Sequence, residues 1–434
     1  MQMLGIKNTT YSLEELMIPQ LQKKIINFVT KKTKKKNYSS NAFSYFAVFE
    51  KTPGYFLIKS FLNKRYYINF IFSFIKHFIG IANTKVKYLT HIEKNNLKKN
   101  IIVSWAFLNN FDKNGIYTDK YLKKKSNEDK ENIWLLLYMD KVLPKKIDNN
   151  LILVHKTTSK LCGVIFFFSY ILRLLKKNFL KLEIFKKINS FSSTSFQLIE
   201  ILKKNIDIRN ISQMLIVYEG QPFQKNIISF FKNQNKDIKV QGYDHSAPTP
   251  LPLNLIYDKY SPDELLITGK AQSIFYNKYL VWPSEKLKII DSLRFKDEKK
   301  SFYMKKFFLP YEIRSPKVYL ESIFYLSRLE NLNFHTVRNH PLQNSSKKHL
   351  KLSKDIETII RTETKNKSKE ENFSIFLGQT TAVLIALDLG VICYHVCPDP
   401  IFDSYSQELW ESITVKKLSE NLFKYTSKKK NNFF

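Results

Sequence analysis

Short apolar runs separated by amphipathic or loop segments constrain the fold of this chain more than any other feature of its sequence. Fully apolar strands that alternate with helices are typical of a parallel sheet covered on both faces. Six such runs follow one another from residue 100 onward: IIVSWAF (101–107), IWLLLYM (133–139), LILVHK (151–156), MLIVYEG (214–220), IKVQGY (238–243) and ELLITG (264–269). They predict a Rossmann-like α/β domain over residues 100–283.

A second series of apolar runs begins after the charged segment SEKLKIIDSLRFKDEKKSFY (284–303), which we interpret as a linker. The runs are KKFFLPY (305–311), NFHTVRNHP (333–341), DIETIIRTE (355–363), FSIFLG (373–378) and VICYHVC (391–397), with helices predicted over 317–330 and 380–389. The predicted fold class is therefore α/β, with a second Rossmann-like domain over 304–405 that faces the first across a cleft. Residues 406–434 are predicted to form a C-terminal amphipathic helix and a frayed tail.

The chain is strongly basic, and its charge has two interpretations. It carries 71 Lys and Arg against 38 Asp and Glu, a formal net charge of +33, yet only 8 of the basic residues are Arg. An AT-rich coding sequence produces abundant Lys, Asn, Ile and Phe without any selection for a binding partner. Alternatively, the charge binds an anionic membrane surface. Nucleic acid is disfavoured as a partner, because base recognition relies on the Arg fork that Lys lacks.

The first 99 residues form a basic lead-in that we predict to be mostly helical, with 18 basic and 4 acidic side chains. The start, MQMLGIKNTTYSLEEL, lacks the pattern of a secretory signal, and three cysteines are too few for a disulfide framework, so a cytoplasmic protein is expected. The apolar stretches Tyr66–Ile81 and Leu161–Leu175 are shorter than the ~20 residues that span a bilayer. Both are predicted to be buried core helices, with an interfacial helix at the inner face of the cell membrane as the alternative for the first.

The segment MLIVYEGQPFQ places a carboxylate just beyond a predicted buried strand. The strand ends at Tyr218, Glu219 and Gly220 follow it, and Pro222 stands where a helix can begin. Ligands of open α/β sheets bind outside the carboxyl ends of the strands, so Glu219 is a candidate catalytic residue. The alternative is that Glu219 interacts with the free N–H groups of the helix, and the two roles are compatible.

The next strand exit, IKVQGYDHSAPTP, presents three polar side chains together. Gly242 permits a tight turn there, and Asp244, His245 and Ser246 follow it as candidates for binding substrate hydroxyls. A polar loop ended by two prolines explains the same residues equally well. Weaker candidates for the same wall of the cleft, with structural roles as the alternative, are Tyr117, Asp119 and Tyr121.

In the second predicted domain, TVRNHPL ends a strand with Arg338, His340 and Pro341. An imidazole and a guanidinium suit the phosphate of a leaving group, because both donate hydrogen bonds and offset the charge that develops on it. A surface turn is the alternative explanation.

A strand also runs into Gln379, Thr380 and Thr381, at the predicted start of a wholly apolar helix. Hydroxyl groups and free backbone N–H groups at a helix start can bind an anion. The alternative is that the threonines only cap the helix.

The order of these motifs resembles the GT-B glycosyltransferases of bacterial surface carbohydrate synthesis. The motifs are similar to those of bacterial sialyltransferases and related capsule enzymes that use CMP-activated sugars. The stretch YEGQPF…GYDHS…PDELLITG, with WLLLYMDKVLP upstream, is similar to a group of surface carbohydrate biosynthesis proteins. The resemblance covers residues 100–415 and implies a nucleotide-sugar donor and a glycan or lipid-linked acceptor.

The resemblance also implies roles for individual residues. The acidic-acidic-Gly motif of sialyltransferases, which supplies a general base, falls on Tyr218-Glu219-Gly220, where Tyr218 replaces the first acid. The His-Pro motif, which engages the phosphate of the nucleotide, falls on His340-Pro341. The Ser/Thr motif, which holds the phosphate or carboxylate of the donor, falls on Thr380-Thr381.

No phosphate-binding loop, GxGxxG, GxSxG, HExxH, CxxC or Asp-x-Asp motif occurs, so a mechanism without metal or other cofactor is favoured. We therefore expect a metal-independent, inverting glycosyltransferase with Glu219 and His340 as catalytic residues. One alternative is a non-catalytic nucleotide- or glycan-binding or scaffold protein of a membrane-associated polysaccharide assembly complex, which the missing acid at Tyr218 favours. Another is a polyanion-binding protein whose charge is its function.

Overall fold

The structure of the protein is a computed structural model with two β-sheets and helices packed against them. It describes residues 13–33, 52–82, 84–88, 100–128, 131–158, 198–199, 202–203, 210–294, 300–332, 335–363 and 372–428. The predicted helix Leu161–Leu175 and the predicted tail from residue 429 lie outside these residues. The architecture is mixed α/β, with a large, mostly parallel sheet and a second sheet, as the two series of apolar runs predict.

The first sheet is built from the first series of runs. Its strands are β1 (Thr84–Tyr88), β2 (Asn100–Ala106), β3 (Asn132–Tyr138), β4 (Leu151–Thr158), β5 (Gln213–Val217), β6 (Lys239–Tyr243), β7 (Glu264–Ile267) and β8 (Leu287–Ile289). They lie in the order β1-β4-β3-β2-β5-β6-β7-β8, and only the pair β1 and β4 is antiparallel. From β4 to β7 this is the strand order of the doubly wound dinucleotide-binding fold, and the direction of winding reverses between β2 and β5.

Helices of the first half cover the sheet or precede it. They are α1 (Leu13–Thr33), α2 (Pro53–Leu62), α3 (Tyr67–Ala82), α4 (Pro222–Gln234), α5 (Lys270–Tyr279) and the short α6 (Lys300–Tyr303). In α4, Ile227, Ile228 and Phe231 share one face and lie in the same apolar cluster as Ile216 of β5. The described part of the first 99 residues holds three α-helices and also β1, which lies at the edge of the sheet.

The second half of the described chain has a sheet of six strands, together with four α-helices. The strands are β9 (Lys306–Phe308), β10 (Thr336–Arg338), β11 (Phe373–Leu377), β12 (Ile392–Val396), β13 (Ile413–Ser419) and β14 (Leu422–Ser427); the helices are α7 (Pro316–Leu329), α8 (Lys347–Glu363), α9 (Ala382–Asp388) and α10 (Pro400–Asp403). The order is β10-β9-β11-β12-β14-β13, in which β10, β9, β11 and β12 are parallel. Winding reverses between β9 and β11.

Two predictions for the second half are wrong. The run DIETIIRTE belongs to helix α8, where Leu352, Ile356 and Ile360 are buried at four-residue spacing, and a short apolar run does not by itself distinguish strand from helix. The predicted C-terminal helix is the hairpin of β13 and β14. Pairing of β14 with β12 buries Phe423 and Tyr425, a long-range contact that the local pattern does not reveal.

The predicted linker and the predicted core helix also differ from the structure. Strand β8 lies inside the 284–303 segment and pairs with β7, so the first sheet extends further along the chain than predicted. Helix α3, predicted as core over Tyr66–Ile81, packs through Phe70 but leaves other large apolar side chains in solvent. No helix in the described part of the chain is long and apolar enough to cross a membrane.

The segment after β12 returns onto the first half of the chain. The ring of Trp410 stacks on Phe275 of α5 with 4.3 Å between ring centroids, and its Nε1 donates to the carbonyl of Pro250 at 3.4 Å. The Tyr405 hydroxyl donates to the carbonyl of Pro248 at 2.9 Å. One apolar cluster consequently contains residues from both sheets, including Ile216.

Candidate active site

Glu219 lies two residues beyond the end of β5, at the point where the winding of the first sheet reverses. Open α/β sheets bind ligands in the crevice at this switch point, outside the carboxyl ends of their strands. In the structure Glu219 lies beyond the end of a largely buried strand, as the sequence predicts. The strand order, which the sequence did not supply, identifies β5 as a strand that borders the crevice.

The turn that carries Glu219 is held by backbone contacts and two amide side chains. Gly220 has a φ of +64°, and a Cβ atom there would lie 2.2 Å from the carbonyl oxygen of Asn254, so only glycine fits. Asn254 Nδ2 donates to the carbonyl of Glu219 at 2.6 Å, and the N–H of Glu219 donates to Gln224 Oε1 at 2.9 Å. Gln224 in turn donates to the carbonyl of Val217 at 2.6 Å.

The carboxylate of Glu219 is partly open to solvent, with 32% of the side chain exposed. Its Oε2 accepts a hydrogen bond from Gln221 Nε2 at 2.5 Å, and its Oε1 lies 3.6 Å from Nε2 of His245. Loss of solvation raises the pKa of the Glu219 carboxyl, against which the Gln221 hydrogen bond and the positive charge of Arg294 act. A raised pKa and partial access are the properties that a general base requires.

His245 is buried beside Glu219 and is kept neutral. Burial, with the charge of Arg294 added, holds the pKa of His245 well below its usual range. Its Nδ1 has no hydrogen-bond partner among the described residues. The ring of Tyr121 contacts the imidazole edge-on, with 4.3 Å between centroids, and burial raises the pKa of Tyr121 to about 12. Tyr121, one of the weaker candidates, therefore lies beside His245, and the structure brings His245 to within 3.6 Å of Glu219.

The other two weaker candidates have the structural role that was their alternative. Tyr117 and Asp119 are both fully buried, and the Tyr117 hydroxyl donates to Asp119 Oδ2 at 2.7 Å. The second carboxylate oxygen of Asp119 accepts the backbone N–H groups of Tyr121 and Leu122 at 2.7 and 2.6 Å. Asp119 thereby fixes the turn that carries Tyr121.

Asp244, predicted to bind substrate, turns into the protein instead. It is 2% exposed, and its Oδ2 accepts hydrogen bonds from Gln272 Nε2 at 2.7 Å and from the Tyr276 hydroxyl at 2.5 Å. Burial raises the pKa of Asp244 to about 7. Ser246 is half-buried on the following loop. Gly242 lies inside strand β6 and not in a turn, and its hydrogen side chain leaves room for Pro262.

Arg294 is a site residue that the sequence motifs did not indicate. Its guanidinium carbon lies 5.3 Å from the centroid of the Tyr121 ring. Its positive charge lowers the pKa of Glu219 and of His340, so it acts on both halves of the predicted site. The sequence offers one indication of this role. Only 8 of the 71 basic residues are arginine, so an arginine within the lysine-rich 284–303 segment is unusual.

The predicted phosphate-binding pair of the second sheet lies at the end of strand β10, where Arg338 is the last residue of the strand and His340 stands two residues after it. The guanidinium carbon of Arg338 lies over the Phe302 ring, 3.6 Å from its centroid, as in a cation–π contact. His340 contacts the ring of Tyr311 edge-on at 5.2 Å, and burial, with the nearby His349 and the two arginines, lowers its pKa to about 4. Pro341 begins a short 3-10 turn after it.

The turn 378–381 lies beside the switch point of the second sheet, because it follows β11. The N-cap of α9 is Thr381, whose side chain makes no cap hydrogen bond, and not Thr380. The Thr380 hydroxyl, one residue earlier, accepts the N–H of Ala382 at 3.2 Å. Gln379 Oε1 accepts a hydrogen bond from the buried Arg314 at 3.1 Å. Arg314, whose other amino group lies 3.5 Å from Asp403, is a second arginine that the motifs missed.

The described residues contain no cluster of three or more His, Cys, Asp or Glu side chains that could hold a metal ion. His395 and Cys393 are both buried in strand β12.

Comparison with known proteins yields a distant structural similarity. No protein-family model matches the chain, and no curated protein matches it. Among solved structures, it is similar to the one described as a crystal structure of a glycosyltransferase from Rickettsia africae ESF-5, with a TM-score of 0.33 and 12% sequence identity, over 70% of this chain and 86% of that chain. At this distance the similarity carries no assignment of function.

Proposed function

We propose that the protein is a metal-independent, inverting glycosyltransferase that uses a nucleotide-activated sugar, with a CMP-sugar as the first donor to test. The observation that carries the proposal is Glu219, a partly exposed carboxyl with a raised pKa at the switch point of the first sheet. Support also comes from the order of short motifs that resembles the sialyltransferase-like GT-B enzymes.

The chemistry proposed is a single displacement. The acceptor hydroxyl attacks the anomeric carbon of the donor sugar while Glu219 takes its proton, and the bond from that carbon to the phosphate oxygen breaks. The nucleotide leaves with the bonding electron pair. The pKa of Glu219 is raised by burial, which favours proton transfer near neutral pH, and the Gln221 hydrogen bond orients the carboxylate.

The departing phosphate needs donors and positive charge. Arg338 supplies a guanidinium that lies over the Phe302 ring, and His340 supplies an imidazole N–H as the second catalytic residue. Gln379, Thr380 and Thr381, with Pro341 setting the turn after His340, complete the proposed donor site. The burial that lowers the pKa of His340 to about 4 keeps the imidazole neutral, so it acts as a hydrogen-bond donor and not as a cation.

Arg294 links the two halves of this proposed cleft. A cation whose field reaches both Glu219 and His340 is suited to a phosphate that binds between them. The same charge keeps the pKa of Glu219 from rising further, so that more of the base is ionised at neutral pH.

The acceptor proposed is a surface polysaccharide or a lipid-linked glycan precursor, reached at the cytoplasmic face of the cell membrane. The formal net charge of +33 supports an anionic lipid surface as a further partner. Among the predicted acceptor-binding residues, Gly220 shapes the turn, His245 lies 3.6 Å from Glu219, and Asp244 holds from inside the loop that continues to Ser246.

The experiment that tests the proposal combines a nucleotide thermal-shift panel with transfer assays on CMP-sugars. Glu219→Gln should lower turnover by roughly 10²–10⁴-fold, because it removes the base, and it should keep the stabilisation by CMP. His340→Ala should lower both the turnover and the stabilisation by CMP. The matched control is Glu264→Gln, since Glu264 lies at the amino end of β7, where it binds Gln241.

A second readout is the pH profile of turnover. Arg294→Gln should move the rising limb of the profile to higher pH, because removal of the positive charge raises the pKa of Glu219 further. Arg361→Gln, an exposed change on α8, should not move it. Full turnover in Glu219→Gln would remove Glu219 from the mechanism, and nucleotide binding by a wild-type protein that transfers no sugar would favour the non-catalytic binding protein.

A further inference from the structure

Helix α3 presents a broad apolar face to solvent. Five of its large apolar side chains are between 43% and 68% exposed: Tyr67, Ile68, Ile71, Phe72 and Ile75. Scattered apolar side chains are normal on protein surfaces, but a contiguous group of this kind marks an interaction site.

The five side chains form one stripe. At about 100° per residue they fall within an arc of about 140°, while Phe70 points the other way and is buried. Asn69 and Lys76, both exposed, lie at the border of the stripe next to Phe72. An apolar stripe bordered by polar and basic residues is the pattern of a helix that lies in a membrane interface.

The charge around the stripe has one sign. Residues 53–82 contain no Asp or Glu. Lys64 and Arg65 are exposed in the turn that precedes α3, and Lys76 is exposed on the helix itself. A surface that is apolar and positively charged complements an anionic lipid bilayer, in which acyl chains take the apolar side chains and phosphate headgroups pair with Lys and Arg.

The length of α3 determines how it would meet a bilayer. Its 16 residues extend about 24 Å, and no described helix can span a membrane. The helix would therefore lie parallel to the surface, with the side that carries Phe70 packed on the protein.

Helix α3 is attached near the proposed donor site. It packs on α2, where Lys59 forms an ion pair with Asp399 at 2.6 Å and the Tyr55 hydroxyl donates to the same carboxylate at 2.5 Å. Asp399 begins the segment that contains Asp403, which lies 3.5 Å from Arg314, the arginine that binds Gln379. Contacts of this kind fix the apolar stripe relative to the turn 378–381.

We propose that α3 is a docking helix for an anionic lipid bilayer. The proposal deepens the membrane partner included in the proposed function, but the docking surface stands without any transferase activity. Its test measures vesicle binding alone, so a failure of docking and a failure of sugar transfer are separate results.

The experiment is co-sedimentation of the full chain with vesicles of phosphatidylcholine, with and without phosphatidylglycerol. The wild type should bind the anionic vesicles and dissociate as salt is added. The variant Ile68→Ser/Phe72→Ser/Ile75→Ser should bind roughly 100-fold more weakly, because three apolar side chains no longer enter the bilayer. Lys64→Glu/Arg65→Glu/Lys76→Glu should lose the preference for anionic lipid.

Matched controls make equal changes elsewhere on the surface. Ile274→Ser/Ile289→Ser/Leu350→Ser removes three other exposed apolar side chains, and Lys236→Glu/Lys239→Glu/Lys270→Glu makes the same change of charge. Both should bind like the wild type. Equal loss in the controls would show that docking is not located on α3 and would overturn the proposal.

A single substitution provides a test that does not depend on a loss of vesicle binding. Phe72→Trp should add a fluorescence component that brominated phosphatidylglycerol vesicles quench, because the indole enters the acyl region. No added quenching, or a wild-type dimer that dissociates in the Ile68→Ser/Phe72→Ser/Ile75→Ser variant without any vesicle binding, would contradict the bilayer as the partner.

Discussion

Asp244 and Glu219 stand at the carboxyl ends of adjacent strands, and burial raises the pKa of both carboxyl groups. Glu219 remains partly exposed, whereas Asp244 is enclosed by Gln272 and Tyr276 from helix α5. A partly exposed carboxyl can exchange a proton with a ligand, but an enclosed one acts by holding its neighbours. The pattern of the sequence places both residues at strand exits, and only the packing of α5 distinguishes their roles.

The raised pKa of Asp244 predicts a stability that falls with pH. Between the ordinary value of 3.8 and about 7, the unfolded chain releases this proton while the folded protein retains it. The free energy of unfolding should therefore decrease over this interval, by up to roughly 4 kcal/mol at about 1.4 kcal/mol per pH unit, and the contribution is constant above it. Asp244→Asn should remove this dependence.

Urea titrations of the wild type and Asp244→Asn at pH 5 and pH 8 measure the difference. Asp237→Asn, at an exposed position, is the control. A stability difference between Asp244→Asn and the wild type that is the same at both pH values would contradict the prediction.

Among the elements, the strands formed by fully apolar runs are the ones that the sequence predicted in the right place. Strands β2 and β11 lie where their apolar runs predict, because burial on both faces demands such runs. The prediction that DIETIIRTE forms a strand was wrong, because its isoleucines suit a strand and a helix equally. The packing of α7 against α8 selects the helix. The hairpin of β13 and β14 depends on pairing with β12 and has no comparable local signal.

Two glycines that end elements allow a matched comparison. Gly220 and Gly390 both have positive φ values, +64° and +74°, but a Cβ at Gly220 would meet the Asn254 carbonyl at 2.2 Å, while nothing lies within 4 Å at Gly390. Gly390→Ala should cost about 1–2 kcal/mol from the backbone alone. Gly220→Ala should cost about 1–3 kcal/mol more, because the turn must move to relieve the overlap.

Thermal and urea unfolding of the Gly220→Ala and Gly390→Ala variants measures the predicted difference in their free energies of unfolding. Since the displaced turn carries Glu219, Gly220→Ala should also lose nucleotide-dependent transfer if the proposed function holds. Equal destabilisation by the two substitutions would show that the contact with Asn254 relaxes at no cost.

At the scale of the whole molecule, the two sheets are joined by more than the covalent linker. Trp410 stacks on Phe275, and the Tyr405 hydroxyl lies within hydrogen-bonding distance of two carbonyl oxygens, that of Pro248 at 2.9 Å and that of Thr380 at 3.2 Å. One apolar cluster extends through both halves. The cleft between the two halves remains a prediction, and any movement of one half relative to the other has to take place around this contact.

The shared core predicts that the two halves unfold together. Calorimetry of the wild type should show one main transition, and Trp410→Ala should separate it into two and lower stability by about 3–5 kcal/mol. Trp410→Phe, which retains an aromatic ring against Phe275, should keep one transition. Two resolved transitions in the wild type would contradict the role assigned to this contact.

The sequence by itself determined the α/β class, most strands of the parallel sheets and the position of Glu219, His245 and His340 beyond strands, because burial of strands and the ends of apolar runs are local properties. Tertiary structure alone decided the strand order that places Glu219 at a switch point, the inward turn of Asp244, the reach of Arg294 to both halves and the exposure of α3. These depend on which distant elements pack together, and contacts between residues far apart in the chain leave no periodic signal in the sequence.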